Sequence, residues 1–485
     1  MRRFLLVMSI LLIPSLVFGQ AQTTGRVTGT VVDEEGNPIA GARVVFISSA
    51  LQGERVLATS ESGRFLAAIL PVGPYSVEIS APSMQPVQFS FRLGVGETVP
   101  LDVTLKKGEA IVEEVTVFST ASALETTSLG ENFDYGTQVE ELPVQNRLIE
   151  RVAEMAPNIT FGPTPNTIAI SGAPSFDTTV LLDGAEMSDP YFGSSPTLYL
   201  EDAIEEVQVL TSGVSARYGR FQGGVVNAIS KTGGNTYTGT LRAQLDNEVW
   251  NSQTPFGEDQ DDNLNQFYQL TVGGFILKDH LWWFGGITEI PDTSTTTTTT
   301  QQDEPASKAT NTEEQRWQIK LRGAITPDHV IEVNHFDYER TLTDRAGLPA
   351  GNISALNGNR IDPREINVAT YQGVLTPNLF LDLQWTEKKV SIASGGDPAG
   401  NDPVFDSAVS AVFNNHWWDF DDASIRDNET LGLNITQALS TANWGTHTLE
   451  YGAQMIQSTT GGENRQSPTG FNLLNYSFNT NPVTD

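Results

Sequence analysis

The chain has no cysteine in 485 residues, which excludes a disulfide scaffold, a thiolate metal site and a cysteine nucleophile. Histidine is scarce. The five present (His280, His329, His335, His416, His447) form no HExxH pair, and neither a GxSxG elbow nor an SxxK box occurs. Zinc-peptidase and serine-hydrolase chemistry therefore lack their residues, and the chain reads as a non-enzyme with no catalytic residue, metal ligand or cofactor. Positive charge is also short. With 28 Lys plus Arg against 59 Asp plus Glu, the net charge of -31 opposes any affinity for nucleic-acid phosphates. Outside the N-terminus no apolar run is long enough for a transmembrane helix, so a membrane location requires a barrel.

What is present begins with an address. Arg2 and Arg3 precede the apolar run Phe4 to Phe18, and small residues follow, so residues 1–21 read as a signal peptide cleaved near Gly19 or Ala21. Residues 25–107 then alternate in short β-like runs (GRVTGTVVD, AGARVVFIS, GRFLAAIL, PYSVEIS, PLDVTL) punctuated by Gly36-Asn37-Pro38 and Pro71-Val72-Gly73-Pro74, the pattern of a small β-sandwich. Residues 108–122 form a connector containing Glu113-Glu114-Val115-Thr116-Val117. On composition alone it reads as an inert linker or as the last strand of the sandwich.

Between residues 123 and 234 the texture is mixed. Helical spacing from Asn146 (Leu148, Ile149, Val152, Met155) predicts one short helix ending before Pro157, with Glu150 and Glu154 on a solvated face. Thr179 to Leu182 and Glu206 to Leu210 read as strands, closed by Asp183-Gly184 and Thr211-Ser212-Gly213. Glycines at 219, 223 and 224 ahead of VVNAIS imply close backbone packing.

From Tyr237 the chain alternates apolar and polar residues in long runs, as in Trp317, Ile319, Leu321 against Arg316, Gln318, Lys320, Arg322. Alternation alone fits both a soluble sandwich and a membrane barrel. The connections separate them: short turns at 277–280, 326–329 and 376–378 alternate with long polar stretches at 248–265, 291–314, 340–365 and 393–428, as in an up-and-down membrane barrel. Aromatics near strand ends (Trp282, Trp283, Phe284, Trp317, Tyr338, Trp385, Trp444) read as interfacial girdles, and STTTTTTQQ (294–302) as a low-complexity loop. The acidic stretches 257–262 and 419–427 lack EF-hand spacing and read as solvated loops.

Several of these segments resemble one family. Asp183-Gly184, with Tyr218-Gly219 through Gly223-Gly224-Val225-Val226-Asn227, is similar to the "DG" hairpin and closing "YG...GGVVN" element of the plug domain of TonB-dependent outer-membrane transporters. Ser171-Gly172 stands where many members carry Arg-Gly. GTVVDEEGNPIAGARV, SESGRFLAAILPVGPYSVEI and LDVTL resemble the carboxypeptidase regulatory-like domain, a transthyretin-like sandwich, as in the Oar-like branch.

The resemblance implies a mainly β protein with four parts after the signal: a transthyretin-like β-sandwich at 25–107, a linker with a TonB box at 108–122, a small α+β plug at 123–234, and a partial antiparallel transmembrane β-barrel of about nine strands at 237–485. It implies no chemistry. Glu114, Val115, Thr116 and Val117 are the energy-coupling candidates. Gly172, Asp183, Gly184, Tyr218, Gly219, Gly223, Gly224 and Asn227 are the structural plug motif. The implied partners are a TonB-like periplasmic energiser, outer-membrane lipid and an unidentified extracellular ligand. An outer-membrane adhesin or export-associated protein that uses the barrel as an anchor is the alternative. Because plugged barrels close with about 22 strands, roughly three hundred further residues are expected beyond this sequence.

Overall fold

A computed structural model describes residues 23–475 except 49–50, 52–53, 109–112, 117–128, 140–146, 162–166, 190–196, 216–217, 251, 253–259, 261, 300–304, 327, 346–357, 377, 396–403, 407–410, 414–422, 442–444 and 463–472. The signal peptide, Val117, Trp444, residues 257–259 and 261 of the first acidic stretch and 419–422 of the second lie outside the described residues; Ser424 to Asp427 of the second belong to a strand and not to the expected loop.

The first domain is a sandwich of two sheets. One contains β1 (Thr24–Val32), β4 (Arg64–Pro71), β7 (Thr98–Pro100) and β8 (Val103–Thr104), with β1 at its centre. The other runs in the order β3 (Glu54–Ala58), β2 (Arg43–Ile47), β5 (Gly73–Ser80), β6 (Val87–Leu93), β9 (Glu113–Thr116). Strict alternation drives this packing: in β5, Tyr75, Val77 and Ile79 point inward and are buried while their neighbours are not. They join Val27, Phe46, Leu70 and Leu93 in one core. Each such side chain contributes on the order of 1.5–3 kcal/mol.

The middle domain has a mixed sheet in the order β10 (Leu129–Asp134), β15 (Ile204–Ser212), β16 (Val225–Ser230), β13 (Thr179–Leu182), β14 (Ala185–Glu186). A separate ladder pairs β11 (Ile159–Phe161) with β12 (Ile168–Ile170), and a short helix α1 (Ile149–Ala153) covers part of the sheet. Every residue of β16 is buried, because the strand is central in the sheet and covered on both faces. The expected strands at 179–182 and within 204–212 are present, and VVNAIS is β16.

The rest is a long antiparallel sheet. Its strands are β17 (Thr238–Asp246), β18 (Asn265–Leu277), β19 (Leu281–Thr299), β20 (Pro305–Thr326), β21 (His329–Arg345), β22 (Gly358–Ile361), β23 (Arg364–Thr376), β24 (Leu379–Gly395), β27 (Ser424–Thr441) and β28 (Gly445–Gly461). A small satellite sheet joins β25 (Val404–Asp406), β26 (Ala411–Phe413) and β29 (Leu473–Asn475). Both β22 and β23 pair with β21 on one side and β24 on the other, so they fill one position in the wall. Pro363, which has no N–H to give the ladder, separates them, and Asp362 beside it is held by Arg360 at 3.0 Å and Arg364 at 2.7 Å. The short turn expected at 277–280 links β18 to β19; of those expected at 326–329 and 376–378, residues 327 and 377 lie outside the described residues, and β20 ends at Thr326 with β21 beginning at His329, while β23 ends at Thr376 with β24 beginning at Leu379.

Two readings of this region need correction. The threonine-rich run is not wholly a loop: β19 extends through Thr299, and Ser294–Thr299 pair residue by residue with Pro305–Thr310. β-branched side chains favour extended backbone, and a long hairpin supplies each strand with its partner. The girdle reading fails for Trp282, Phe284 and Tyr338, which are buried on the wall's inner face. Phe284 packs on Leu200 and Ala203 of the middle domain, and the Trp282 indole N–H donates to Asn235 at 2.9 Å. The register turns them inward, because Trp282 pairs with Arg322, Phe284 with Lys320 and Tyr338 with Arg316, and directly paired residues share a face.

The outer face carries Leu241, Ile319, Leu383, Leu431 and Met455, all exposed, with Leu241 at 82%. Exposed apolar side chains spread over consecutive strands are the band a barrel presents to lipid. Replacing Ile319 by Arg is therefore expected to cost about 2–4 kcal/mol of folding stability in lipid vesicles. Urea titration checks this, and a change within about 0.5 kcal/mol argues for a water-facing surface.

Candidate functional site

The inner face of the wall is basic where the middle domain is acidic. Because side chains alternate along a strand, Arg316, Gln318, Lys320 and Arg322 of β20 all point inward and are buried, while Trp317, Ile319 and Leu321 point out. Arg242, Lys388 and Arg426 point inward from other strands. Opposite them the middle domain presents Asp183, Glu186, Asp189, Glu201 and Asp202. Three clusters result.

The first is centred on the Asp183-Gly184 turn. Asp183 has φ 47° and Gly184 φ 87°, the left-handed pair that a two-residue hairpin between β13 and β14 requires. This tight reversal turns the Asp183 carboxylate back onto its own sheet and toward the wall. Its Oδ1 accepts from the Ser230 N–H at 2.9 Å, and its Oδ2 from the Ser230 hydroxyl at 2.5 Å and the Asn334 amide at 2.6 Å. Lys320 Nζ stands 3.6 Å away, bonded also to Ser230 O at 3.2 Å and Glu332 at 3.0 Å. Gln384 donates to the Asp183 carbonyl at 3.0 Å. A Cβ on Gly184 would displace that same Gln384 amide, and its positive φ favours glycine.

The second cluster joins Glu201 and Asp202 to the wall. Arg316 donates to Glu201 Oε1 at 2.9 Å and to the Tyr199 carbonyl at 3.0 Å. Gln269 donates to Glu201 Oε2 at 2.9 Å and accepts from the Asp202 N–H at 3.0 Å, while Arg242 reaches Asp202 at 3.3 Å. In the third, Lys388 donates to the Ser188 carbonyl at 2.7 Å and Arg426 pairs with Asp189. Apolar contact reinforces the ions: Phe336, Tyr338, Ile366 and Val368 of the wall enter the middle domain's own core. A cavity of about 540 Å³ lies where the sandwich, middle domain and wall meet, lined in part by Pro74, Asp183, Ser230, Lys320 and Glu332.

Buried charges of this kind give little net stability when paired, but removing one partner leaves an uncompensated charge worth about 3–5 kcal/mol. Asp183→Ala is expected to loosen the middle domain by about that amount, seen as faster protease cleavage within residues 179–230. Gly184→Ala is expected to cost more than about 1 kcal/mol in the same assay. Cleavage unchanged in both would show that this turn does not hold the domain.

The sandwich is latched to the middle-domain sheet chiefly through the interior strand β15, with the edge strand β10 beside it. At the end of β6 the chain turns through Gly94 to Glu97, and the Val95 N–H donates to Glu206 Oε1 at 2.7 Å. Gln208 donates to the Val95 carbonyl. Val95 itself packs with Val72 and Ile229. Arg92 lies 3.2 Å from Asp134 and 3.8 Å from Glu206, with Glu205 also near.

Burial pushes the Glu206 carboxyl up from 4.5 to about 7, against the opposing pull of the Val95 N–H and Arg92. A carboxyl whose value is raised on docking favours the docked state at low pH. Docking is therefore expected to be strongest below about pH 4.5, to weaken as pH rises, and to level off above about 7. Glu206→Gln keeps an acceptor for Val95 and is expected to abolish this dependence, measured by hydrogen exchange at Val95. An unchanged pH profile would contradict the assignment.

The other singled-out residues are placed as follows. Gly223 and Gly224 pack against β12 and β15, where a Cβ on Gly223 would come 2.8 Å from the Ile170 carbonyl. Asn227 is buried in mid-sheet, its Cα paired with those of Leu181 and Gln208. Tyr218 packs with Leu181, Leu210 and Val225, whereas Gly219 and Gly172 (φ 77°) have no neighbour within 4 Å of a would-be Cβ. Glu113–Thr116 form β9, paired parallel to β6, so residues 114–116 are brought to the sandwich and not to the Asp183 cluster. Glu150 corrects its expected solvated position: it is buried, and its carboxylate accepts from the Tyr199 hydroxyl at 3.1 Å, a partner 49 residues away. Glu154 is exposed as expected. Among the described residues no group of His, Asp and Glu is arranged to hold a metal.

Comparison with known proteins fits this arrangement. Residues 26–106 match the carboxypeptidase regulatory-like domain and residues 138–226 the TonB-dependent receptor plug domain. The TonB-dependent transporter Oar of Myxococcus xanthus is 29% identical over 303 residues, which cover 57% of this chain and 27% of that protein. In fold, the outer membrane transporter YddB of Escherichia coli is similar with a TM-score of 0.55 at 15% identity, over 69% of this chain and 49% of that one. The siderophore receptor PirA of Acinetobacter baumannii gives 0.51 at 16% identity, over 70% and 50%. The chain thus spans about a quarter of Oar and about half of the two solved transporters. Residues 138–226 thus carry a plug domain, and the wall shares the fold of part of the β-barrel in the two solved structures.

Proposed function

We propose that this protein takes up an extracellular ligand across the outer membrane, and that a TonB-like periplasmic energiser drives it by pulling on residues 114–117. The observation that carries the reading is the buried ionic interface between an acidic plug and a basic inner wall. A plug that only sealed the barrel would be held as well by apolar packing. Ion pairs behave differently when a plug shifts: water enters and solvates the separated charges, and the cavity beside Asp183 and Lys320 gives that water room. The plug is thereby held in register yet free to move under load. An anchor for an adhesin has no use for such a seam.

On this reading the protein is Sec-exported, loses residues 1–21 and sits in outer-membrane lipid, which meets the exposed apolar band. The ligand binds on the side away from the sandwich. Deleting residues 113–117 is expected to abolish capture of the detergent-solubilised protein by the immobilised periplasmic domain of TonB. The protein should still fractionate with the outer membrane. Equal capture with and without the segment would overturn the coupling role, and recovery in the soluble periplasmic fraction would overturn the membrane location.

A further inference from the structure

The sandwich is bonded to the plug and also to the wall, and the two contacts lie on neighbouring stretches of backbone. The plug contact is the turn from Gly94 to Glu97, where Val95 meets Glu206 and Gln208. The wall contact is the start of β1: Arg26 pairs with Glu450 of β28, and Gln372 of β23 donates to the Thr23 hydroxyl at 3.4 Å. Beside it, Ala68 and Ile69 of β4 share a narrow cleft with Phe380 and Leu381 of β24 and Thr436 of β27.

Little separates the two contacts. The Arg26 N–H donates to the Glu97 carbonyl at 2.9 Å and the Gly96 N–H to the Thr24 carbonyl at 3.1 Å, so backbone bonds tie the wall-bound strand to the plug-bound turn. The Glu97 carboxylate closes that turn by accepting from the Gly94 N–H at 2.8 Å. Two glycines permit the approach. A Cβ on Gly25 would come 2.6 Å from Leu93, and one on Gly94 would come 2.3 Å from the Asn132 amide of the plug. A block packed and bonded this closely passes a displacement on instead of absorbing it.

We infer that the sandwich is a strut that pins the plug to the wall and acts as a brake on plug movement. The plug cannot shift against the wall without breaking either the Val95 contact or the Arg26 contact. The Arg26 contact is the one that gives. Its side chains are 19% and 31% exposed, and a pair open to water is weakly held, whereas the Val95 to Glu206 bond is buried. Once it opens, the sandwich travels with the plug. The inference is independent of the coupling role proposed above, because no energiser takes part in it.

Charge reversal tests the strut, since neither Arg26 nor Glu450 belongs to the plug. In the intact protein in lipid vesicles, Arg26→Glu is expected to speed protease cleavage within residues 179–230 by about threefold or more. Adding Glu450→Arg restores the pair with its charges exchanged and should return cleavage to within about 1.5-fold of the parent. Hydrogen exchange at Val95 should stay within about twofold of the parent in Arg26→Glu, because the sandwich remains on the plug. Unchanged cleavage in Arg26→Glu would overturn the inference. Faster cleavage that Glu450→Arg does not reverse would also overturn it, by showing damage to the sandwich itself. Exchange at Val95 that accelerates along with cleavage would show that the plug contact gives first, and would equally overturn it.

Discussion

The structure depends on one arrangement of charge: cations on the inward parity of the wall strands facing carboxylates on the plug. Coulomb attraction in a partly dry interface is strong, and so is the cost of drying each ion, so the pairs add little net stability. What they impose is register. Arg316 between Glu201 and the Tyr199 carbonyl, and Lys320 between Asp183, Glu332 and Ser230, each satisfy several groups that have no comparable partner if the plug rotates or slides. The apolar contacts of Phe336 and Tyr338 supply attraction, and the ions decide position.

The Asp183-Gly184 hairpin is where local and global constraints meet. Its two positive φ values belong to the turn itself, yet they also aim the Asp183 carboxylate at Ser230 and Asn334 and bring Gly184 against Gln384. A motif that reads locally as a tight turn is therefore also a contact between plug and barrel. The sandwich is bound through the backbone of Val95, a buried carboxyl and the ion pair of Arg92 with Asp134.

Much of the fold was legible because it is periodic. Alternation in 316–322 assigned inward and outward faces correctly, and DG and GGVVN marked strands and turns at their observed places. What could not be read depends on residues far apart in sequence. Arg316 and Glu201 lie 115 residues apart, and nothing local in either segment announces the pair. Glu150 looked solvated because helix spacing says nothing about Tyr199. Trp282, Phe284 and Tyr338 suggested a girdle by composition, whereas their face is set by pairing with Arg322, Lys320 and Arg316 on another strand. The signal for the ionic seam was present in one half only: four polar or basic residues at alternate positions of β20 implied that something acidic must face them.

The most direct test of the central claim is a double-mutant cycle on Glu201 and Arg316, which are 2.9 Å apart, using Glu201→Gln, Arg316→Met and the double variant. Protease accessibility of the plug reports its stability. Each single change should loosen the plug and the double change should largely restore it, with a coupling of more than about 1.5 kcal/mol. Additive effects, with coupling near zero, would contradict an ionic seam as the constraint that positions the plug.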